Sequence, residues 1–382
     1  MNAGSYLSDA AARRPSPCRV AILGFGTVGS AIAKRLGGAD PVDGLQLASV
    51  LDRRACAKRD ALSGLAILSR DIVWTTRIED ILSSDADIVV ESIGGVEPAA
   101  EWMRAALLRG KSVVTANKQV ISRHGPSLLA LAERQGRQIR FEAAVGGAMP
   151  IVRAVSDGLA GDRLTRIVAI LNGTSNAVLS RMEATGCTVP QALAEARAQG
   201  WAEADPSSDL DGLDARAKLA ILCALGFGLR VDPARIETRS IARLQPAQFD
   251  SARRRGATIR QIAYARYDRR RAALTAWVAP AIVASSSIFG RTTGPQNATL
   301  VSGTHGGDLG VVGVGAGGAA TAVAVIGDLL TIARDRAAIV PAPVLSTPAI
   351  ITGIGDGADL FDVIDLNGRF VDRDAAAVAE AV

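Results

Sequence analysis

The stretch RVAILGFGTVGSAIAKRLGG, Arg19 to Gly38, decides the fold. RVAILG is a β-branched and apolar run ending in a glycine cluster, and SAIAKRLGG continues with helical spacing to a glycine stop. Between them GFGTVG, Gly24 to Gly29, is a GxGxxG set between a predicted strand and a predicted helix. Its first glycine, Gly24, permits the tight turn, and its second, Gly26, lets a pyrophosphate approach backbone amides at the helix N-terminus. Alone the hexapeptide is a weak signal, since glycine loops abound. Its weight comes from LQLASVLD (Leu45 to Asp52), a second strand candidate that Asp52 closes about twenty residues on, where a carboxylate accepts hydrogen bonds from ribose hydroxyls. Asp52 repels a 2′-phosphate and favours NAD, whereas Arg53 and Arg54 attract one and favour NADP, so both dinucleotides stay open.

The same alternation continues outward. RIEDILSS reads as a helix, DIVVES as a strand, PAAEWMRAALLRG as a helix and SVVTA as a strand, followed by SLLALAERQG and QIRFEAAV. Strands alternating with helices predict a parallel sheet covered on both faces. The expected fold is therefore α/β, with an N-terminal Rossmann-type doubly wound domain over 18–150. After Pro150 helix-like and strand-like segments mix, which predicts a second α+β domain over 151–310 that carries catalysis and whose sheet serves as an oligomer interface. GVGAGGAATAVAVIGDL, Gly313 to Leu329, repeats the glycine-then-helix arrangement and is expected to return to the first domain within 311–345. Residues 346–382 form a C-terminal extension too short for an additional regulatory domain of ordinary size.

Composition sets bounds. With 382 residues and 48% apolar content the chain can bury a substantial core. Its four cysteines are isolated and show no metal-ligand spacing, which suits a reducing, cytoplasmic compartment. MNAGSYLSDAAARRPSPC lacks the continuous apolar core of a signal peptide, so residues 1–17 are expected to be a disordered tail. VVGVGAGGAATAVAVIG is too rich in glycine and alanine for a membrane span. The arginine-rich segment from Arg253 to Arg271 suggests a nucleic-acid surface, but Ile259, Ile262, Ala263 and Tyr267 recur in helical rhythm, and the expected reading is a helix with a solvated arginine face. Neither nucleic acid nor membrane is an expected partner.

Only five of the forty-three basic residues are lysines. Two of them stand in TANK (Thr115 to Lys118) and DARAK (Asp214 to Lys218). A hydride transfer to a carbonyl develops negative charge on oxygen, which a nearby acid must neutralise. Lysine can give up its proton and arginine in practice cannot. The two histidines, His124 and His305, stand outside any charged constellation. ESIGG (Glu91 to Gly95) and TANK each follow a strand and so line the crevice at the carboxyl ends of the sheet. Asp214 and Lys218, four apart on a predicted helix, share a face, which allows a plain salt bridge, but the acids upstream tilt the reading toward a site. Upstream, Glu203, Asp205, Asp209 and Asp211 form an acid-rich loop suited to a substrate ammonium group. NGTSN (Asn172 to Asn176), with Thr174 at its centre, opens a helix and offers amides and hydroxyls to a substrate carboxylate.

Taken in order, GFGTVG, VTANK, FEAAVGGAMPIV, ILNGTSN, AQGWAEADPSSDLDGLDARAKLAIL and GVGAGGAATAVAVIGD resemble the homoserine dehydrogenase family over roughly residues 18–332. That resemblance implies interconversion of L-aspartate 4-semialdehyde and L-homoserine with NADP or NAD, in amino-acid biosynthesis leading to threonine, methionine and isoleucine. It implies that Lys218 is the proton donor, that Lys118 lies beside substrate and nicotinamide, and that Glu203 and Asp214, with Asp209 close by, hold the substrate. Phe25, Thr27, Val28, Ile93, Gly200 and Gly317 match cofactor contacts, beside Gly24, Gly26, Gly29, Asp52 and Arg53. A structural sodium ion would fall on Glu142 and the carbonyls of Val145, Gly147 and Met149, oxygen ligands that suit a hard cation. A homodimer or homotetramer built through the second domain's sheet is also implied. Trp201 replaces the usual tyrosine or phenylalanine, and the region from about 265 to 300 lacks the customary HPL-type element before GPQNA. That divergence leaves a dehydrogenase of a related amino-acid aldehyde as an alternative, and a non-catalytic dinucleotide sensor as another. A phosphorylating semialdehyde dehydrogenase fits poorly because it needs a nucleophilic cysteine. Neither an aspartokinase portion nor an ACT-like domain is expected, and so threonine feedback through such a domain is not expected.

Overall fold

The computed structural model describes residues 16–38, 41–63, 71–354 and 361–362. Most of the expected N-terminal tail, and the extension after Ile354 apart from residues 361–362, lie outside the described residues.

The chain begins with β1 (Cys18–Leu23), α1 (Thr27–Gly37), β2 (Leu45–Leu51), α2 (Ala55–Ser63), β3 (Val73–Thr75), α3 (Ile78–Ser83) and β4 (Ile88–Glu91). It continues through α4 (Ala99–Leu108), β5 (Ser112–Thr115), α5 (Lys118–Arg134) and β6 (Ile139–Arg140). These six strands form one parallel sheet in the order β3-β2-β1-β4-β5-β6. The order reverses beside β1, so the connections leaving the paired strands β1 and β4 part and open the crevice where doubly wound sheets bind ligands. Both faces of the central strands are buried: Val20, Ile22 and Val90 face one apolar cluster, and Ala21, Leu23 and Val89 the other. Such burial on both faces explains the unbroken apolar runs in the sequence.

A short helix α6 (Ile151–Arg153), extended by one wide turn to Gly158, leads into a second body. There follow β7 (Leu164–Ile170), α7 (Gly173–Thr185), α8 (Val189–Ala198), α9 (Ser207–Leu210), α10 (Leu213–Phe227), β8 (Glu237–Thr238) and α11 (Pro246–Arg254). Next come β9 (Ala257–Asp268), β10 (Ala273–Ala284), α12 (Ile288–Arg291), β11 (Gln296–Gly303), β12 (Asp308–Val314), α13 (Gly318–Arg334), β13 (Ile350–Thr352) and β14 (Phe361–Asp362). The second sheet runs β12-β11-β7-β9-β10-β13, with β8 and β14 also paired to β10. Helix α13 leaves this sheet and packs on the first body, where Ala322, Val325 and Leu329 join Ile32 and Leu36 of α1 in one apolar cluster. Among the described residues no helix is long and apolar enough to cross a membrane.

One sequence reading is overturned. The arginine-rich segment is not a helix with a solvated face: only Arg253 and Arg254 end helix α11, and Ala257–Asp268 is strand β9. Ile259, Ile262 and Ala263 fit helical spacing, but the strand is buried on both faces, so period two left no polar–apolar alternation to see. Arg260 is fully buried, with its guanidinium 2.7 Å from Glu183 Oε2 and donating to the carbonyls of Gly290 and Thr292. A buried guanidinium has to be paired in this way, because an isolated charge in the core is prohibitively costly.

Candidate active site

The dinucleotide crevice is built by the first turn. Gly24 holds φ +92°, a conformation disfavoured for residues with a Cβ. A Cβ at Gly29 would overlap the Gly24 carbonyl, so the third glycine lets α1 start directly against the strand end. Above Gly26, the residue preceding α1, space is open, and no side chain caps the helix. Free amides at an uncapped N-terminus beside open space fit a pyrophosphate. Thr27 opens the helix and Val28 packs against the neighbouring apolar cluster. From the far side, a Cβ at Gly318 would meet the Thr27 carbonyl at 2.8 Å, so the turn before α13, with Gly317 at φ +107°, closes against the same feature.

Asp52 does not stand free. Its Oδ2 accepts from Phe25 N at 2.9 Å and lies 2.6 Å from Lys58 Nζ, while Oδ1 accepts from Arg54 N. Lys58 also donates to the Phe25 carbonyl at 2.7 Å and lies over the Phe25 ring. Burial alone would raise the Asp52 pKa, but the hydrogen bonds from Lys58, Arg54 and Phe25 hold it below the usual carboxylate range. Arg53 is exposed at the rim. Lys58 escaped the reading of the sequence, although the scarcity of lysine that drew attention to TANK and DARAK applied to it equally.

Glu91 organises the opposite wall. Fully buried at the end of β4, it accepts from Ile93 N at 2.9 Å and Gly94 N at 3.2 Å through one oxygen, and from Thr115 Oγ1 at 2.5 Å through the other. Asn117 donates to the Gly95 carbonyl and caps helix α5 by accepting from Val120 N. One carboxylate thus ties ESIGG to TANK and sets Lys118 at the first position of α5. Ile93 lies directly beside Gly24, where an added Cβ would meet Ile93 Cγ2 at 2.8 Å.

The two retained lysines converge on one acid. Lys118 Nζ lies 2.8 Å from Asp214 Oδ1 and Lys218 Nζ 2.8 Å from Asp214 Oδ2. Lys218 also donates to the Leu171 carbonyl at 2.8 Å. Burial would raise the Asp214 pKa, but the charges of Lys218 and Lys118 outweigh it and hold the carboxyl well below its ordinary range. The charge of Asp214 in turn raises Lys118 against the opposing effect of burial, with Asp209 and Glu203 adding to it. Asn172 spans the acids, donating to Asp209 Oδ1 at 2.7 Å and Asp214 Oδ2 at 3.0 Å while its own oxygen caps α7 through Ser175 N. Asp209 is pushed up by burial, with the charge of Asp214 adding to it, against the lowering effect of the hydrogen bond from Asn172. Glu203 is exposed on the loop, Gly200 turns the chain into that loop, and Thr174 ties it down by donating to the Trp201 carbonyl at 2.6 Å. So NGTSN lies at the acid cluster, but Asn172 spends its amide holding carboxylates together, a role its sequence context did not reveal.

The remaining candidates lie where the bodies join. Glu142 is buried and accepts from Val152 N at 2.8 Å and Arg153 N at 2.9 Å. Burial raises its pKa to about 7 despite these bonds. Among the described residues the carbonyls of Val145 and Gly147 accept no hydrogen bond, whereas that of Met149 accepts from Ile151 N. Oxygen donors of this kind, one of them a desolvated carboxylate, would suit a hard cation. Cys223 is buried in α10 with its thiol pushed to about 12, which suits a core residue and not a nucleophile.

The chain is similar to known proteins over most of its length. Residues 150–330 match the family model described as homoserine dehydrogenase, and residues 24–142 the model described as homoserine dehydrogenase, NAD binding domain. The homoserine dehydrogenase of Mycobacterium tuberculosis H37Rv is 39% identical over 324 residues, covering 84% of this chain and 73% of its own. That of Mycobacterium leprae is 41% identical over 326 residues, covering 83% and 72%. The crystal structure of a homoserine dehydrogenase from Thiobacillus denitrificans superimposes with a TM-score of 0.80 at 34% identity, over 88% of this chain and 80% of that one. A hyperthermophilic archaeal homoserine dehydrogenase in complex with NADPH gives 0.69 at 27% identity, over 86% and 99%.

Proposed function

Because the chain belongs to the homoserine dehydrogenase family, we propose that the cleft between its two sheets interconverts L-aspartate 4-semialdehyde and L-homoserine with Lys218 as the acid and base. The observation that carries this reading is the convergence of Lys118 and Lys218 on Asp214. The dinucleotide, when bound, supplies or takes up the hydride.

An ammonium group has three protons to donate. Two of those on Lys218 are held by Asp214 and the Leu171 carbonyl, which leaves the third for a substrate oxygen. As the aldehyde carbon gains a hydride, that proton passes to the oxygen and an alcohol results. The neutral amine still donates to its two acceptors and is reprotonated from water. In the reverse direction the amine takes the alcohol proton. Lys118, kept cationic by Asp214, holds developing negative charge without titrating. Asp209 and Glu203 receive the substrate ammonium group, and the backbone amides about Thr174, at the start of α7, receive its carboxylate. Fixing the substrate at both ends supplies part of the rate by positioning.

The adenosine end favours NADP. Asp52 has its oxygens engaged by Phe25, Arg54 and Lys58, which disfavours it as the acceptor for ribose hydroxyls. Lys58, Arg53 and Arg54 then present a cationic rim suited to a 2′-phosphate. Sodium on Glu142, Val145, Gly147 and Met149 would brace the junction between the bodies. The exposed Leu309, Val312 and Val314 on edge strand β12 support assembly of a homodimer or larger oligomer through the second sheet. A cytoplasmic location suits this biosynthetic chemistry. Oxidation of NADPH by the purified protein, dependent on L-aspartate 4-semialdehyde, is the test, and cofactor binding without such oxidation would favour a related aldehyde or a sensor.

A further inference from the structure

The last residues of GPQNA place an amide where the fold gives it nothing to bond. Asn297, the second residue of β11, is fully buried, and among the described residues neither its Oδ1 nor its Nδ2 has a hydrogen-bond partner. A buried amide without partners is a rare and costly feature, and such groups in folded proteins call for a specific explanation. Its surroundings are specific. A Cβ built on Gly315, in the turn before α13, would overlap the carboxamide carbon, oxygen and nitrogen of Asn297, so the amide lies flat against that turn. On the other side Ala298 pairs with Ile170, which brings Asn297 alongside the strand end that leads to Leu171, the residue whose carbonyl holds Lys218. The turn in question continues to Gly318, which touches Thr27 of the dinucleotide loop. Asn297 therefore stands under a segment that links the second sheet to the dinucleotide turn, beside the support of the proton donor.

We propose that Asn297 is a positioning residue for dinucleotide binding: its carboxamide pairs with backbone groups of the Gly315–Gly318 turn once that turn settles on the bound dinucleotide. An amide that is unpaired without ligand and paired with it adds its hydrogen bonds to the binding equilibrium and not to the stability of the free protein. Glycine at 315 is then required because any side chain would separate the turn from the amide. The inference rests on the dinucleotide reading given above.

Asn297→Leu, nearly isosteric and apolar, and the smaller Asn297→Ala separate this role from a structural one. NADPH affinity is measured by calorimetry and melting temperature with and without NADPH, using the wild type as control. The expected result is about tenfold weaker NADPH binding in both variants. Apo Asn297→Leu should melt no lower than wild type, because a buried unpaired amide has been removed, and its NADPH-induced rise should shrink. A dissociation constant within about twofold of wild type in either folded variant would overturn the proposal; should Asn297→Leu not fold, Asn297→Ala decides. Failure of the wild type itself to bind NADPH would instead overturn the dinucleotide reading.

Discussion

The carboxylate of Asp214 stands between two ammonium groups, with Oδ1 2.8 Å from Lys118 Nζ and Oδ2 2.8 Å from Lys218 Nζ. Replacing it with asparagine keeps the shape and removes the charge that holds both lysines. Asp214→Asn should lower kcat by about 10²–10⁴-fold, the usual worth of positioned acid–base catalysis. Steady-state kinetics on a variant with native circular dichroism checks this; a fall of less than tenfold would separate the carboxylate from the chemistry.

The Lys58–Asp52 pair makes a prediction about cofactor choice. Lys58→Ala should weaken NADPH by about ten- to a hundredfold, the worth of a charged hydrogen bond, and leave NADH within a few-fold. Comparing kcat/KM for the two dinucleotides reads the effect, and equal losses for both would assign Lys58 to the loop and not to the phosphate.

Glu91 couples two loops through four donors, Ile93 N, Gly94 N, Thr115 Oγ1 and Asn117 Nδ2. Glu91→Gln retains one acceptor oxygen but turns a donor toward Ile93 N and Gly94 N or toward Thr115 Oγ1. The expected cost is about 1–3 kcal/mol of stability, with KM for dinucleotide raised. Urea titration measures the first and initial rates the second; an unchanged unfolding midpoint would contradict the network.

Glu142 links stability to pH. Its folded-state pKa is raised from 4.5 to about 7, so between these values the native protein holds a proton that the unfolded chain has released. Stability should fall as pH rises through that window, by on the order of 3 kcal/mol at 1.4 kcal/mol per unit, with little further loss above it. If the oxygens around Glu142 hold sodium, replacing potassium by sodium should raise the melting temperature at about pH 8 and hardly at about pH 5, where the carboxyl is protonated. Glu142→Gln should flatten the pH dependence and abolish the sodium effect, and thermal melts across pH in the two salts check both.

The first sheet was legible because its signals are local: a β-branched run, a glycine turn and an amphipathic helix in succession. DARAK and TANK were legible for a different reason, since five lysines in an arginine-rich chain mark positions where a removable proton matters. Strand β9 was misread because a strand covered on both faces shows no alternation, and its buried Arg260 mimics the arginines of a solvated helix. Glu91, Lys58 and the bridging role of Asn172 stayed hidden since each depends on partners between 2 and 42 residues away that only the folded chain brings together. No periodicity encodes such contacts.

Lys218 as proton donor is most directly tested by single-turnover reduction of L-aspartate 4-semialdehyde in Lys218→Ala and Lys218→Arg saturated with NADPH. Both variants should bind NADPH within about threefold of wild type yet transfer hydride at least about 10³-fold more slowly, arginine included, because its charge persists but its proton does not leave. Hydride transfer near the wild-type rate in Lys218→Arg would contradict the account, since a fixed positive charge would then suffice.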